Sequence, residues 1–415
     1  MVASTADRSS LHQRAWSYFA TDQIRGPRAR ALFADLSEQS PVLQLDRFWI
    51  VSSADVIRRI AVNPNFIMPQ PTFPAPTLSA YPRFVEFFGR TLSFREGADH
   101  RRLRSVLAPT FATRAVNGVA AEVAAIVEEL LDSVTGQGEI DLVERVTDVL
   151  PMRVTARALG VPESEWAWLE QAGRGMLAVI GSSFPGVGTT AQPLSNDGFA
   201  QLREYAERLV LQPSRPGTLA DDVYAAVRAG QLDTQEAVDL ALLLFMTGID
   251  TVSAAIANCV NAILDRPATR EAVERGELGV ADVFAEATRL DTPLPFVVRA
   301  VTTDVELMPG VALAPGDAVM LCLGGANLDA ARFIDPLAWL PGQRPASLTF
   351  GHGIHHCVGA ALATVQAQAL VGALLRRGIS RGAGDAVWRS DLSFHAVRRL
   401  PVSIGEVGRC AGQVA

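Results

Sequence analysis

Phe350-Gly351-His352-Gly353-Ile354-His355-His356-Cys357-Val358-Gly359 is a glycine-punctuated loop with a cysteine near its end. An apolar, alanine-rich run, Ala360 to Leu375, follows it and reads as a helix. Three of the chain's six histidines and one of its four cysteines fall inside this loop. Two metal chemistries compete for it. A zinc ion could take His352, His355, His356 and Cys357, or a single Cys357 thiolate could ligate an iron cofactor. Adjacent side chains on one short loop cannot easily surround a tetrahedral ion, and no second Cys/His pair stands elsewhere to complete the set. A cysteine just ahead of a helix sits near the positive end of the helix dipole and near free N–H groups, which favours thiolate. The glycines let the backbone approach a flat, bulky ligand. The bland alternative is a buried structural cysteine.

The 415 residues would ordinarily divide into two or three domains, although large helical enzymes exceed that expectation. Half the chain is hydrophobic, enough for a large core. A net charge of −7 argues against bulk nucleic-acid binding. Cys259, Cys322, Cys357 and Cys410 are too few and too scattered for a disulfide framework, so a reducing compartment is expected. The first residues lack an apolar signal core, and the longest apolar run, Leu240 to Ile249, is too short to span a membrane. The expectation is a cytoplasmic monomer with no membrane anchor.

In chain order, residues 1–20 read as a partly mobile segment and 21–415 as one domain. Helices are expected at Arg25–Leu36 and Ala54–Ala61, with a hairpin between them at Val42–Ser52. Asn63 to Tyr81 holds five prolines and no charged residue. It is either a surface loop or, because Phe66, Met68 and Phe73 are apolar, a substrate-facing one. The helix from His100 carries Arg101, Arg102 and Arg104, with Arg114 beyond; His100 and Arg104 share a face. It is a solvated basic face, a docking patch for an acidic partner, or both, with His100 and Arg104 turned inward to an anion. Further helices follow to Leu159, the last kinked or restarted at Pro151. Two more, at Glu163–Ile180 and Phe199–Leu211, flank a Gly/Ser/Pro/Thr connector.

A long helix opens at Asp233-Thr234 with Glu236 placed for a capping box and runs to Leu264. Apolar all round, it must cross the centre of the fold. Inside it lies Thr247-Gly248-Ile249-Asp250-Thr251. Glycine costs such a helix about 1 kcal/mol, and a buried acid and hydroxyl cost desolvation. Either these groups are used or the site is a kink with Thr251 bonded back to a carbonyl. Glu286 and Arg289, three apart on a later helix, would pair. Strands are expected from Phe296 to Leu323, an irregular stretch over Ala331–Leu348, and a hairpin over Leu392–Ile404.

Taken together, the Cys357 loop, the Glu286–Arg289 pair, the Gly248/Asp250-Thr251 helix and the His100–Arg104 helix resemble, in order and spacing, a soluble bacterial cytochrome P450. The resemblance runs from the Val42 hairpin to the tail. It implies a mainly α fold with small β-sheets, a triangular helical prism around one haem b. Cys357 would be the axial ligand of the haem iron. His100, Arg104, Arg299 and His355 resemble the haem-propionate partners, which suits cationic or donor groups facing two carboxylates. Phe350 and Gly351 would pack beside the sulfur and the haem. Asp250 and Thr251 resemble the acid–alcohol pair that supplies protons during O2 activation, and Gly248 would make room for O2. Thr247 stands where alanine or glycine is commoner. Where the family places an arginine before an aromatic, this chain has Ala338-Trp339, so Arg332 or Arg344 would have to complete the Glu286–Arg289 network, or it is reduced.

The activity this implies is monooxygenation of a small or medium hydrophobic substrate, as a natural-product tailoring step. Electrons would come through a separate ferredoxin and ferredoxin reductase, the ferredoxin docking at Arg101, Arg102 and Arg114. Oxidative coupling, desaturation or a peroxide-driven reaction is the alternative, and a non-catalytic haem binder or gas sensor the remote one. By family position the substrate contacts are Phe66, Met68, Phe73, Leu243, Leu244, Thr247, Phe296, Val297, Phe394 and His395.

Overall fold

A computed structural model describes residues 5–21, 23–46, 48–69, 78–181, 192–213 and 216–405. Its axis is the long helix expected from the sequence. Asp233 accepts the Glu236 N–H while the Glu236 carboxylate accepts the Asp233 N–H, a complete capping box that starts Thr234–Thr247. Every residue from Ala237 to Met246 is buried. The helix breaks at Gly248-Ile249 and resumes as Asp250–Leu264, again buried on most sides. One large apolar cluster packs on the first half, with Phe87, Leu103 and Phe245. A second packs on the later half against Val280–Leu290 and Ala360–Arg376.

Among the described residues two helices, Thr234–Leu264 and Gly353–Arg376, are long and apolar enough to cross a membrane, contrary to the shorter run read from the sequence. In the former, 78% of the apolar window is buried inside the protein, so the core itself meets that hydrophobicity.

The sheets are small. The largest has the order Val42–Leu45, Phe48–Val51, Ala318–Cys322, Phe296–Val301, Phe66–Ile67. Phe48–Val51 and Ala318–Cys322 pair in parallel and the other neighbours antiparallel. The expected C-terminal hairpin does not form. Val397–Arg399 pairs with Val387–Trp388, whereas Pro401–Ser403 pairs with Glu139–Asp141 and Ser380–Arg381. Leu400, fully buried between the two, donates its N–H to Asp141 and marks where the chain changes sheets.

Within the N-terminal segment Thr5–Ala20 is a helix, its Leu11, Ala15 and Tyr18 buried with Phe33 and Phe296, because an apolar stripe finds a partner in the Pro27–Gln39 helix. The restart near Pro151 comes through a π-turn at Val143–Thr147, and Pro151 falls in the first turn of Val149–Ala158, where a missing N–H is tolerated.

Glu286 and Arg289 form a buried bidentate pair at 2.7 and 2.8 Å. Arg289 also donates to the carbonyls of Asn327, Pro336 and Ala338, and Glu286 accepts the Leu340 N–H. The arginine missing at Ala338 is replaced by Arg344, whose Nε lies 3.7 Å from Glu286 while its Nη2 donates to the Asp335 and Ala338 carbonyls. Arg332 is exposed and takes no part. A buried charge stripped of its partner is expensive. Arg289→Met is therefore expected to lower unfolding stability by about 3–5 kcal/mol, read as a shift of the urea midpoint at unchanged slope.

Candidate functional site

The cysteine loop closes on its own backbone. The Cys357 N–H donates to the Phe350 carbonyl at 2.9 Å, and the Gly351 N–H to the Leu348 carbonyl at 2.8 Å. Gly353 has φ +72°, and a Cβ there would collide with the Ala61 carbonyl, so glycine alone lets the loop lie against the Ala54–Val62 helix. Phe350 packs into the core cluster behind the loop. Cys357 is accessible, yet it is ringed closely enough by protein that burial pushes its thiol up. The Gly359 N–H, Arg104 and the Ala360 N–H oppose that shift. The helix start does aid the thiolate, but burial outweighs it; a bound cation would reverse the balance. Among the described residues no group of three or more His, Cys, Asp or Glu side chains is placed to hold a metal, which removes the zinc reading.

Beside the loop the sequence-predicted donors converge. His100 and His355 meet edge to face at 4.7 Å. Arg104 donates to the Ile354 carbonyl at 3.2 Å. Arg299, 7% accessible, has neutral partners only, Met68 Sδ at 3.5 Å and the Val298 carbonyl at 2.7 Å. The acid here, Glu96, is committed to His355 at 3.1 Å and to the Met68 N–H at 3.0 Å. Burial pushes Glu96 up, but these bonds and the charges of His355 and Arg299 hold it below the usual carboxylate range. His100 is 1% accessible and its Nδ1 has no partner. Burial, with the His355 and Arg104 charges, depresses its pKa from 6.5 to about 4. Among the described residues Glu96 is the one carboxylate set against these donors, and no salt bridge joins a carboxylate to Arg104 or Arg299. That fits a group bearing two carboxylates over a single thiolate, as haem b does.

The central helix carries the second group of predicted residues. In a helix buried at every position from Ala237 to Met246, Thr247 is exposed and Thr251 half-buried, so an open space lies against this face. The Thr247 hydroxyl donates to the Leu243 carbonyl at 2.8 Å, and the Thr251 hydroxyl to the Thr247 carbonyl at 2.9 Å. Both hydroxyls spend their protons on backbone and keep lone pairs free. Gly248 corrects its reading: a Cβ there would meet the Leu244 carbonyl and Thr155 Oγ1, each at 2.8 Å. The glycine admits the Val149–Ala158 helix. Asp250 is turned to Arg389, with Oδ2 3.4 Å from Nη1.

The substrate-contact candidates differ in their surroundings. Phe66 is buried and pairs with Val301 in the large sheet. Leu243 and Leu244 are packed in the core. Phe296 is locked among Tyr18, Phe19 and Phe33 with ring centroids 5.2–5.6 Å apart. His395 bonds Asp291 at 2.9 Å and stacks on Trp388. Met68 lies with Arg299 and Glu96. Val297 and Phe394 remain half-buried, Phe394 under the Arg389 guanidinium. Phe73 falls outside the described residues. The sequence reading missed Glu96, Arg389 and Asp148. Only Glu96, four before His100, carried a local signal.

The cytochrome P450 family profile matches residues 280–377. 6-Deoxyerythronolide B hydroxylase from Saccharopolyspora erythraea is 27% identical over 90% of this chain and 95% of its own. Mycinamicin IV hydroxylase/epoxidase from Micromonospora griseorubida is 27% identical over 95% and 99%. Among solved structures, epothilone D-bound cytochrome P450epoK superposes with TM-score 0.81 at 24% identity, covering 90% of this chain and 96% of that one. P450BioI in complex with an acyl-loaded acyl carrier protein gives 0.80 at 23%, covering 91% and 98%.

The depressed His100 gives a pH signature. Between about 6.5 and 4 the unfolded chain binds the proton more readily than the folded one, so stability falls as pH falls through that window. Denaturant titrations of the haem-free chain are expected to show this slope. His100→Gln removes it, and haem, by supplying carboxylates, shrinks it.

Proposed function

The chain belongs to the cytochrome P450 family, and from that premise we propose a monooxygenase that tailors a natural product by inserting one oxygen atom into a small or medium hydrophobic substrate. The enzyme class, cytochrome P450 monooxygenase, and the cofactor, protoporphyrin IX haem, come with the family. The observation that carries the reading is the donor cluster beside an accessible Cys357, with His100 Nδ1 buried and unpartnered; the open Thr247 and Thr251 on an otherwise buried helix support it.

In this reading Cys357 would hold the iron, and His100, Arg104, Arg299 and His355 would hold the two propionates. When bound, the thiolate-ligated haem supplies reductive activation of O2 and transfer of one oxygen atom. Phe350 shields the cysteine from behind, and Glu96 fixes the His355 ring by holding its Nε2. Thr251, its proton on the Thr247 carbonyl, offers lone pairs to the open side and there accepts and orients a hydrogen bond. Asp250 is the proton carrier next to it in sequence, and Arg389 holds it ready. Thr247 adds a second hydroxyl to an apolar wall, a place for one polar group on the substrate.

Macrolide-tailoring names among the relatives support a natural-product substrate, and separate ferredoxin and ferredoxin reductase remain the proposed electron donors. The docking patch narrows. Arg102 is tied to Asp99 and Glu236, each at 2.5 Å, because it braces the capping box of the central helix; Arg101 and Arg114 stay exposed. The acyl-carrier complex of P450BioI supports carrier-bound acids as one substrate form to include in a screen.

The reduced, carbon-monoxide-bound protein is expected to show a strongly red-shifted Soret band that Cys357→Ser abolishes; a spectrum like that of histidine-ligated haem refutes the assignment. With a turned-over substrate, isotope-labelled O2 should appear in the product, whereas coupling or desaturation leaves it unlabelled. Thr251→Ala should lower product formed per reducing equivalent by roughly an order of magnitude, below the ceiling for proton-transfer catalysis, with peroxide rising in compensation.

A further inference from the structure

Monooxygenation consumes two protons with each O2 and electron pair, one oxygen atom leaving as water. Asp250 can carry one proton at a time, and Arg389 Nη1 lies 3.4 Å from its Oδ2. The structure places a second carboxyl beside it. Asp148 lies between the π-turn Val143–Thr147 and the helix Val149–Ala158. Its Oδ1 accepts the Ser253 hydroxyl at 2.5 Å, and Thr147 Oγ1 stands 3.2 Å from the same Ser253 oxygen. Ser253 follows Asp250 by three residues on one helix, so the two share a face and Asp148 is brought alongside Asp250.

Two guanidiniums close the group. Arg174, from the Trp166–Gly181 helix, lies 3.4 Å from Asp148 and is also tied to Glu170. Arg389 bonds Asp391 at 2.6 Å and Asp250 at 3.4 Å. Asp148 is thus faced by Asp250 and Ser253 from the central helix, by Arg174 with its Glu170, and by Arg389 with its Asp391. Burial pushes the Asp148 carboxyl up and the Asp250 charge adds to that, while the Ser253 bond and the two arginines oppose it; the result is raised. Its side chain keeps 27% of its surface accessible, so solvent reaches it.

We propose that Asp148 is a second acid in the proton supply of the central helix. It takes a proton from solvent and passes it to the Asp250 carboxylate after Asp250 has given up its own. The transfer leaves Asp148 ionised until water reprotonates it, and no electrons move. Arg389 and Arg174 are positioning residues that keep the two carboxyls side by side. The inference rests on the proton-carrying reading of Asp250 under the proposed function.

The test uses the haem-loaded protein. An ordinary aspartic acid is almost fully ionised at about pH 6. Infrared difference spectra between wild type and Asp148→Asn, followed across pH, should show in wild type only a protonated-carboxyl band that persists to higher pH than an ordinary aspartic acid's; no band, or one lost where an ordinary aspartic acid ionises, overturns the proposal. Asp148→Asn should also lower product per reducing equivalent at least about threefold, the deficit narrowing toward alkaline pH where Asp148 is ionised in wild type as well, with the carbon-monoxide spectrum unchanged. Wild-type coupling at every pH overturns it. Should Asp148→Asn fail to fold, Ser253→Ala keeps the carboxyl and removes its hydroxyl bond: the wild-type band should move to higher frequency, and an unmoved band overturns the proposal. Asp250→Asn separates the two claims. If it uncouples while Asp148→Asn does not, Asp148 is no donor and the Asp250 reading stands; if neither uncouples, the Asp250 reading itself fails and this inference with it.

Discussion

The guanidinium of Arg289 is the contact on which the cysteine side of the molecule depends. Between Asn327 and Phe350 the chain forms no strand or long helix. Its carbonyls at Asn327, Pro336 and Ala338 converge on Arg289, and Glu286 holds both that arginine and the Leu340 N–H. Asn327 passes the restraint on: its Oδ1 accepts the Leu348 N–H at 2.6 Å and its Nδ2 donates to Thr349 at 3.1 Å. Phe350 comes next, and its carbonyl takes the Cys357 N–H. A buried ion pair seldom adds net stability over an apolar substitute. Here its value is geometric, since a fork of five donors can gather several carbonyls of a chain that has no ladder to organise it.

Two sides of the site handle charge differently. The cysteine side is poor in anions, with His100 unpartnered and Arg299 on neutral acceptors. The back of the central helix is rich in acids, with Asp148, Asp250, Glu170 and Asp391 set against Arg174 and Arg389. Unpaired donors mark where a ligand's charge belongs; acids that share guanidiniums mark groups that serve one another. The helix break at Gly248-Ile249 links the two, turning Thr251 to the open space and Asp250 to the arginines.

Much of this was legible along the chain because the signals are local. The capping box at Asp233–Glu236, the glycines of the cysteine loop, the Glu286–Arg289 spacing and the His100–Arg104 face each depend on neighbours within a turn, and each appears where expected. The surroundings of the substrate-contact candidates were not legible: for Phe66, Leu243, Leu244, Phe296 and His395, what packs against the side chain is set by what arrives from far away. Gly248 is the same case, its missing Cβ explained by Thr155.

The sequence by itself determined a helical fold with a single cysteine poised before a helix, a long apolar helix broken at an acid and a hydroxyl, and the family these spell. Tertiary structure alone decided that Arg344 stands in for the arginine absent at Ala338, that Glu96 claims His355, and that Arg389 and Asp148 gather behind Asp250. The physical reason is range. Capping and turn chemistry act over a few bonds, whereas a charge finds its partner through space, wherever folding sets it.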